Sequence, residues 1–144
     1  MLTATAVLAC ALDLLGRSST AAPVRFLERA PLEASQHVEA FIQREPSTIY
    51  LITTTHAFRE ARNPRPGFSG RDACRKIASI IVHEEWHLRY GDDEEGAYLA
   101  QLTTLMRLNA DSATLTTVRR SMDAVRASQR LRSKEPVGAV ARLP

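Results

Sequence analysis

The sequence predicts an α+β fold, mostly helical, with a small sheet of two or three strands. Three observations carry this reading. Apolar residues recur at helical spacing through residues 72–90, 92–108 and 112–131. Thr48-Ile-Tyr-Leu-Ile-Thr-Thr-Thr55 is rich in β-branched and aromatic side chains, which suit a pleated, half-buried strand. The 144 residues fit one domain, placed at residues 1–132 and followed by a flexible tail at 133–144.

Composition narrows the choices further. Hydrophobic residues at 44% and charged residues at 24% exclude a fully disordered chain. No run of about 20 apolar residues is present, so no ordinary membrane-spanning helix is expected. Aromatics are only 6%, so the core must come mainly from Leu, Ile, Val and Ala. The balance of 19 basic against 16 acidic residues gives +3, too mild to imply a nucleic-acid partner.

Taken in order, Met1–Leu15 begins with an apolar run. No Lys or Arg precedes that run and Asp13 follows it, which favours a first helix over a signal peptide. Leu8, Leu12 and Leu15 share one face of that helix. Residues 16–23 read as a linker, and residues 24–28 alternate as a short strand. Pro31 opens a helix to about Arg44, with Leu32, Val38, Phe41 and Ile42 as its apolar members. Pro46 breaks it, and the 48–55 strand follows. Residues 57–62 suit a helical turn, and 63–70 form a loop with two Pro and two Gly.

Asp72 can cap a helix that runs to about Tyr90 and stops at Gly91. Asp92 and Asp93 can cap the next, with acids in its first turn as the helix dipole prefers. A final helix carries Leu115, Val118, Met122 and Val125 at core spacing. Cys10 and Cys74 allow either one disulfide or two buried thiols, the second being the commoner state in a reducing compartment. A cytoplasmic location is slightly favoured, and export stays open if the N-terminus is an incomplete signal or if Cys10 and Cys74 pair.

The chemistry lies in His83-Glu84-Glu85-Trp86-His87. On a helix, residues four apart stack on one face, so two imidazoles can bind one metal ion from the same side. At about 100° per residue, Glu84 falls inside the apolar stripe of Ala73, Ile77, Ile81 and Leu88. A carboxylate facing a core costs several kcal/mol unless cations or hydrogen bonds compensate, and a metal with its water would do so. Ala78, Val82 and Trp86 make the opposite side apolar too, so the helix is expected to be buried on two sides. The bland alternative is a helix with two satisfied histidines.

A zinc hydrolase needs a third protein ligand and an open position for water. Gly91 permits a sharp turn back, and Glu94 or Glu95 in the next first turn can reach the metal. The segment from Ala78 to Tyr98 resembles the active-site segment of small bacterial zincin-type metallopeptidases. It is closest to the group in which H-E-x-x-H is followed by E-x-x-A. The resemblance covers about residues 71–108. It implies His83, His87 and Glu94 as zinc ligands and Glu84 as general base, with Ala97 three residues after Glu94.

The same resemblance implies a zincin-like fold, a small antiparallel sheet packed on the active-site helix. An edge strand of that sheet should line the cleft, a role the 48–55 segment is expected to take. It further implies zinc-dependent hydrolysis of a peptide bond in a peptide or protein substrate. Tyr98 stands where many such families carry Asp or Asn, and its hydroxyl can bond a ligand. Tyr98, Tyr90 or His56 can add an oxyanion donor.

Other readings are weaker. A non-catalytic module of the same build, binding a metal or a partner, is the main alternative. Two imidazoles and a carboxylate also suit non-haem iron. A di-iron bundle would need a second E-x-x-H, which the sequence lacks. Arg119, Arg120, Arg126, Arg130 and Arg132 make the last helix basic, but few aromatics interleave to stack bases, so a solvated face is expected. His37 is expected to face solvent. Ser69 and Ser79 have no catalytic context.

Overall fold

In a computed structural model of the chain, residues 1–32, 38–67 and 69–134 are described. Period-two alternation builds the sheet. Val24–Leu27 (β1), Ala40–Arg44 (β2) and Ser47–Ile52 (β3) pair in the order β1-β3-β2. Their register sets two apolar rows on one face, Val24–Ile49–Ile42 and Phe26–Leu51–Ala40. All six residues pack into the main core. On the other face Phe41 stacks on its partner Tyr50 with ring centres 4.8 Å apart.

Two expectations are corrected here. The segment read as helix to Arg44 is strand β2 from Ala40 onward, while residues 33–37, with His37, lie outside the described residues. Phe41 and Ile42 fit helical spacing with Val38. They fit a strand equally well, because Ala40 and Ile42 face the core while Phe41 and Gln43 reach Tyr50 on the other side. The sheet is also mixed rather than antiparallel. β2 and β3 form a tight hairpin through Glu45 and a cis Pro46, and β1 lies parallel to β3. Because β3 inserts between the other two, it is the central strand, and β2 is an edge.

The helices follow the sequence reading closely. Ala4–Leu14 (α1) is capped by the Thr3 hydroxyl, which accepts from the Ala6 N–H. It buries Val7, Ala11 and Leu12, with Leu8 and Leu15 packed at the margin. His56–Arg62 (α2) is capped by Thr55, which accounts for the strand stopping at Ile52 rather than Thr55. Gly70–Tyr90 (α3) is capped by Ser69, not Asp72. Asp72 sits inside the first turn and pairs with Arg75. Glu94–Arg107 (α4) and Ser112–Ser133 (α5) complete the chain to residue 134. The tail from residue 135 lies outside the described residues.

Helix α3 is buried on two sides, although Ala78, expected opposite Ile77 and Ile81, joins them in the main core, and Val82 and Trp86 are only half-buried. The sheet, α1 and α2 cover one side through Ile77, Ala78, Ile81 and Phe58. Helix α4 covers the other and packs in turn on α5 through Leu102, Leu105, Val118 and Met122. Each fully buried Ile, Leu or Phe contributes about 1.5–3 kcal/mol, so α3 is held fixed from both sides. Cys10 and Cys74 are joined in a disulfide that ties α1 to α3, with Cα atoms 6.0 Å apart. The linker after α1 is pinned by Glu85, which takes two bonds from Arg17 at 2.9 and 2.6 Å and one from the Ala21 N–H at 2.7 Å.

Candidate metal centre

Gly91 starts the site. It ends α3 with φ at +80°, a conformation that L side chains rarely adopt, and so permits the sharp reversal into α4. Asp93 then caps α4, accepting from the Gly96 N–H at 3.0 Å and from the Trp86 indole at 3.1 Å. A Cβ at Gly96 would come within 2.5 Å of the Trp86 nitrogen, so only glycine lets the corner close. This corner lays the first turn of α4 over the second half of α3, and Glu94 meets both histidines.

The contacts are short and convergent. Glu94 Oε1 lies 2.9 Å from His83 Nε2, and Glu94 Oε2 lies 3.2 Å from His87 Nε2. The two Nε2 atoms are 3.3 Å apart. Glu94 is therefore the carboxylate at the cluster. Glu95, the alternative left open by the sequence, turns away to bond Arg126 at 2.7 Å. Among the described residues, His83, His87 and Glu94 form the one group of this kind whose donor atoms all converge.

The far ring nitrogens are held as well. His87 Nδ1 donates to the Gly91 carbonyl at 2.8 Å, and His83 Nδ1 donates to Gln101 Oε1 at 2.9 Å. Gln101 in turn points its amide nitrogen at the Ser79 hydroxyl, 3.4 Å away, and Ser79 donates to the Lys76 carbonyl at 2.8 Å. With protons on both Nδ1 atoms, each neutral ring presents a lone pair at Nε2. Two lone pairs and a carboxylate then face one point, an arrangement that repels itself unless a cation fills it.

The metal-free site can take a proton instead. The Glu94 hydrogen bond and the Gly91 carbonyl lift His87 to about 9 against the opposing effect of burial. His83 and His87 pull Glu94 down to about 2. A divalent ion meets the same need. Two nitrogens bound at about 2.05 Å to a tetrahedral ion stand roughly 3.3 Å apart, which matches the observed spacing. The donor set of two imidazoles and one carboxylate fits zinc, and also iron.

Glu84 lies one residue along, buried, and lines the same cleft as the cluster. Burial pushes its carboxyl above the usual range, against the pull of His83 and His87. The cleft measures about 820 Å³ and is open to solvent. Its floor is α3, its far wall is α4 and the Thr117–Ser121 face of α5, and its near wall is β2 with the residues before it. The strand beside the site is thus β2, not the 48–55 segment, because β3 is enclosed by both neighbours.

Several residues were not legible as site residues. Gln101 is one, although a polar side chain in the buried row Ala97–Gln101–Leu105 was a usable signal. Arg44 and Glu39 are others, hidden because their segment reads as helix. Arg44 donates to the His87 carbonyl at 3.0 Å and to Asp92 at 3.1 Å, locking β2 to the end of α3.

Tyr98 does not hold a ligand by its hydroxyl. Its ring stands edge-on to His83 at 4.6 Å, and Gln101 takes the bonding role. Tyr98 lines the cleft. Tyr90 is exposed with its ring tilted against Trp86, His56 is exposed at the start of α2, and neither lines the cleft. Arg119, Arg120, Arg130 and Arg132 are exposed, as a solvated face requires. No helix among the described residues is long and apolar enough to cross a membrane. Comparison with known protein families, curated proteins and solved structures found no match.

Proposed function

We propose that the protein is a zinc-dependent peptidase. One observation carries the reading. Two Nε2 atoms and a carboxylate converge with both Nδ1 positions already satisfied, and a buried glutamate stands beside them in an open cleft.

His83, His87 and Glu94 would hold the ion. Zinc bound there supplies a Lewis acid and a water of lowered pKa. Glu84 is the proton acceptor. It lines the cleft beside the histidines, and the acquired proton can pass on to a leaving amine. Gln101 and Gly91 keep the two imidazoles aimed. Among the described residues β2 is an edge strand, whose outer backbone groups can pair with an extended peptide whatever its side chains.

Elemental analysis and a peptide-library assay test this together. About one zinc per chain is expected, a stoichiometry that follows from a single three-ligand site. It should be lost in His83→Ala, His87→Ala and Glu94→Gln and kept in Glu95→Gln. Glu84→Gln should keep the metal and lose cleavage by about 10²–10⁴-fold. Zinc bound without cleavage would leave a metal-binding module, and a folded protein that takes up no metal would remove both readings.

A further inference from the structure

The acids of the cleft differ in what occupies them. Glu94 is taken by His83 and His87, Asp92 by Arg44, and Glu84 is the proposed base. Glu39 lines the same cleft at the head of the edge strand, one residue before Ala40. It makes no ion pair among the described residues, although Lys76, His83 and His56 are near enough to act on its charge. Only its backbone is engaged, where its carbonyl accepts from the Ile52 N–H at 3.0 Å.

An extended peptide laid along β2 has to pass this carboxylate. The local balance favours a cation there. Glu39, Glu84, Asp92 and Glu94 outnumber the cations near them, which are Arg44 in the cleft, Lys76 close to Glu39 and, without metal, the protonated His87, on a chain whose formal net charge is +3. A divalent ion held by His83, His87 and Glu94 would leave Glu39 still without an ion pair among the described residues.

Resting on the peptidase reading above, we infer that Glu39 is the specificity residue of the cleft, receiving an ammonium or guanidinium group of the substrate peptide. Charge-assisted bonds of this kind are short and directional, and Glu39 is exposed, so an incoming cation can reach it. Glu39 takes no part in the proton transfer or in holding the ion. Its effect lies in which peptide is retained.

The test uses matched peptides that differ only by Lys, Gln or Glu near the scissile bond, each with a free and an acetylated N-terminus. They are offered to the zinc-loaded protein, and their binding to zinc-loaded Glu84→Gln is measured in parallel. The Lys peptide should be favoured by about tenfold in both kcat/KM and affinity, the scale of a bond to a charged group. Glu39→Gln should erase that ratio, and Glu39→Lys should turn it toward the Glu peptide. A Lys-to-Gln ratio that survives acetylation assigns the cation to a side chain, whereas an affinity that falls about tenfold in every peptide on acetylation, and no longer falls in Glu39→Gln, assigns it to the terminal amine.

Cleavage and binding that ignore peptide charge would overturn the role of Glu39 and leave the peptidase intact. Absence of all cleavage would overturn the peptidase reading instead. The binding ratio then decides Glu39 by itself, since charge-blind binding removes the role and a tenfold ratio abolished by Glu39→Gln keeps it as a docking contact.

Discussion

Gln101 Oε1 stands 2.9 Å from His83 Nδ1, joining the third turn of α4 to a ring that faces Glu94 with its other nitrogen. Glu94 and Gln101 are seven residues apart, two helical turns, so one face of α4 supplies both the candidate ligand and the support of its neighbour. The pairing fixes the His83 tautomer, because an amide oxygen accepts and the amide nitrogen is already directed at Ser79.

Replacing Gln101 with Leu should therefore weaken metal binding by about 10–100-fold, the usual effect of removing such a support. Competition against a chromogenic chelator at fixed pH reads this directly. Gln101→Glu keeps an acceptor at the same place and should restore most of the affinity. Equal affinity in wild type and Gln101→Leu, with both folded, would mean that His83 is oriented by its packing against Tyr98 alone.

Most of this fold could be read from residue pattern, and the reasons differ by element. α3 and α5 repeat apolar residues over many turns, so period alone identifies them. Gly91 and the acids after it mark the reversal that creates the site. β2 is short, and its residues 40–44 satisfy two periods at once. Only pairing with β3 decides between them, and that pairing is a long-range event no local pattern contains. The same ambiguity hid Glu39 and Arg44. Residue pattern alone left Glu94 and Glu95 both open, and only the resemblance pointed to Glu94, because the Arg126 that takes up Glu95 comes from α5, far along the chain. The disulfide depended on α1 packing against α3, which the spacing of the two cysteines does not encode.

The acid–histidine cluster gives the metal-free protein a distinct pH response. Glu94 is lowered from 4.5 to about 2, so its contribution is present above its unfolded value and is lost as pH falls toward 2. His87 is raised from 6.5 to about 9, so its contribution is full below 6.5 and is lost as pH rises through 9. The pair therefore supports the fold most between about pH 4.5 and 6.5. Urea midpoints measured in chelator should fall from pH 6.5 to 9 in wild type, and the fall should shrink in His87→Gln. Parallel curves for the two proteins would show that no such pair forms without metal.

The Cys10–Cys74 bond closes a loop with a sequence separation of 64. Constraining the unfolded chain over a loop of that length is worth roughly 4 kcal/mol in the chain-entropy account. For a domain of this size that corresponds to a fall of about 10–15 °C in Tm on reduction. The loss should not be uniform. α1 reaches the core through Val7, Ala11 and Leu12, so its docking on α3 weakens first, while α4 and the His83–His87–Glu94 cluster meet α3 on another side. Melting with and without reductant, followed by hydrogen exchange, separates the two effects. Exchange should rise in residues 4–14 under reductant while metal uptake at the proposed site is unchanged. A Tm that ignores reductant would show that the cysteines remain thiols in solution, and α1 would then be held by apolar contact alone.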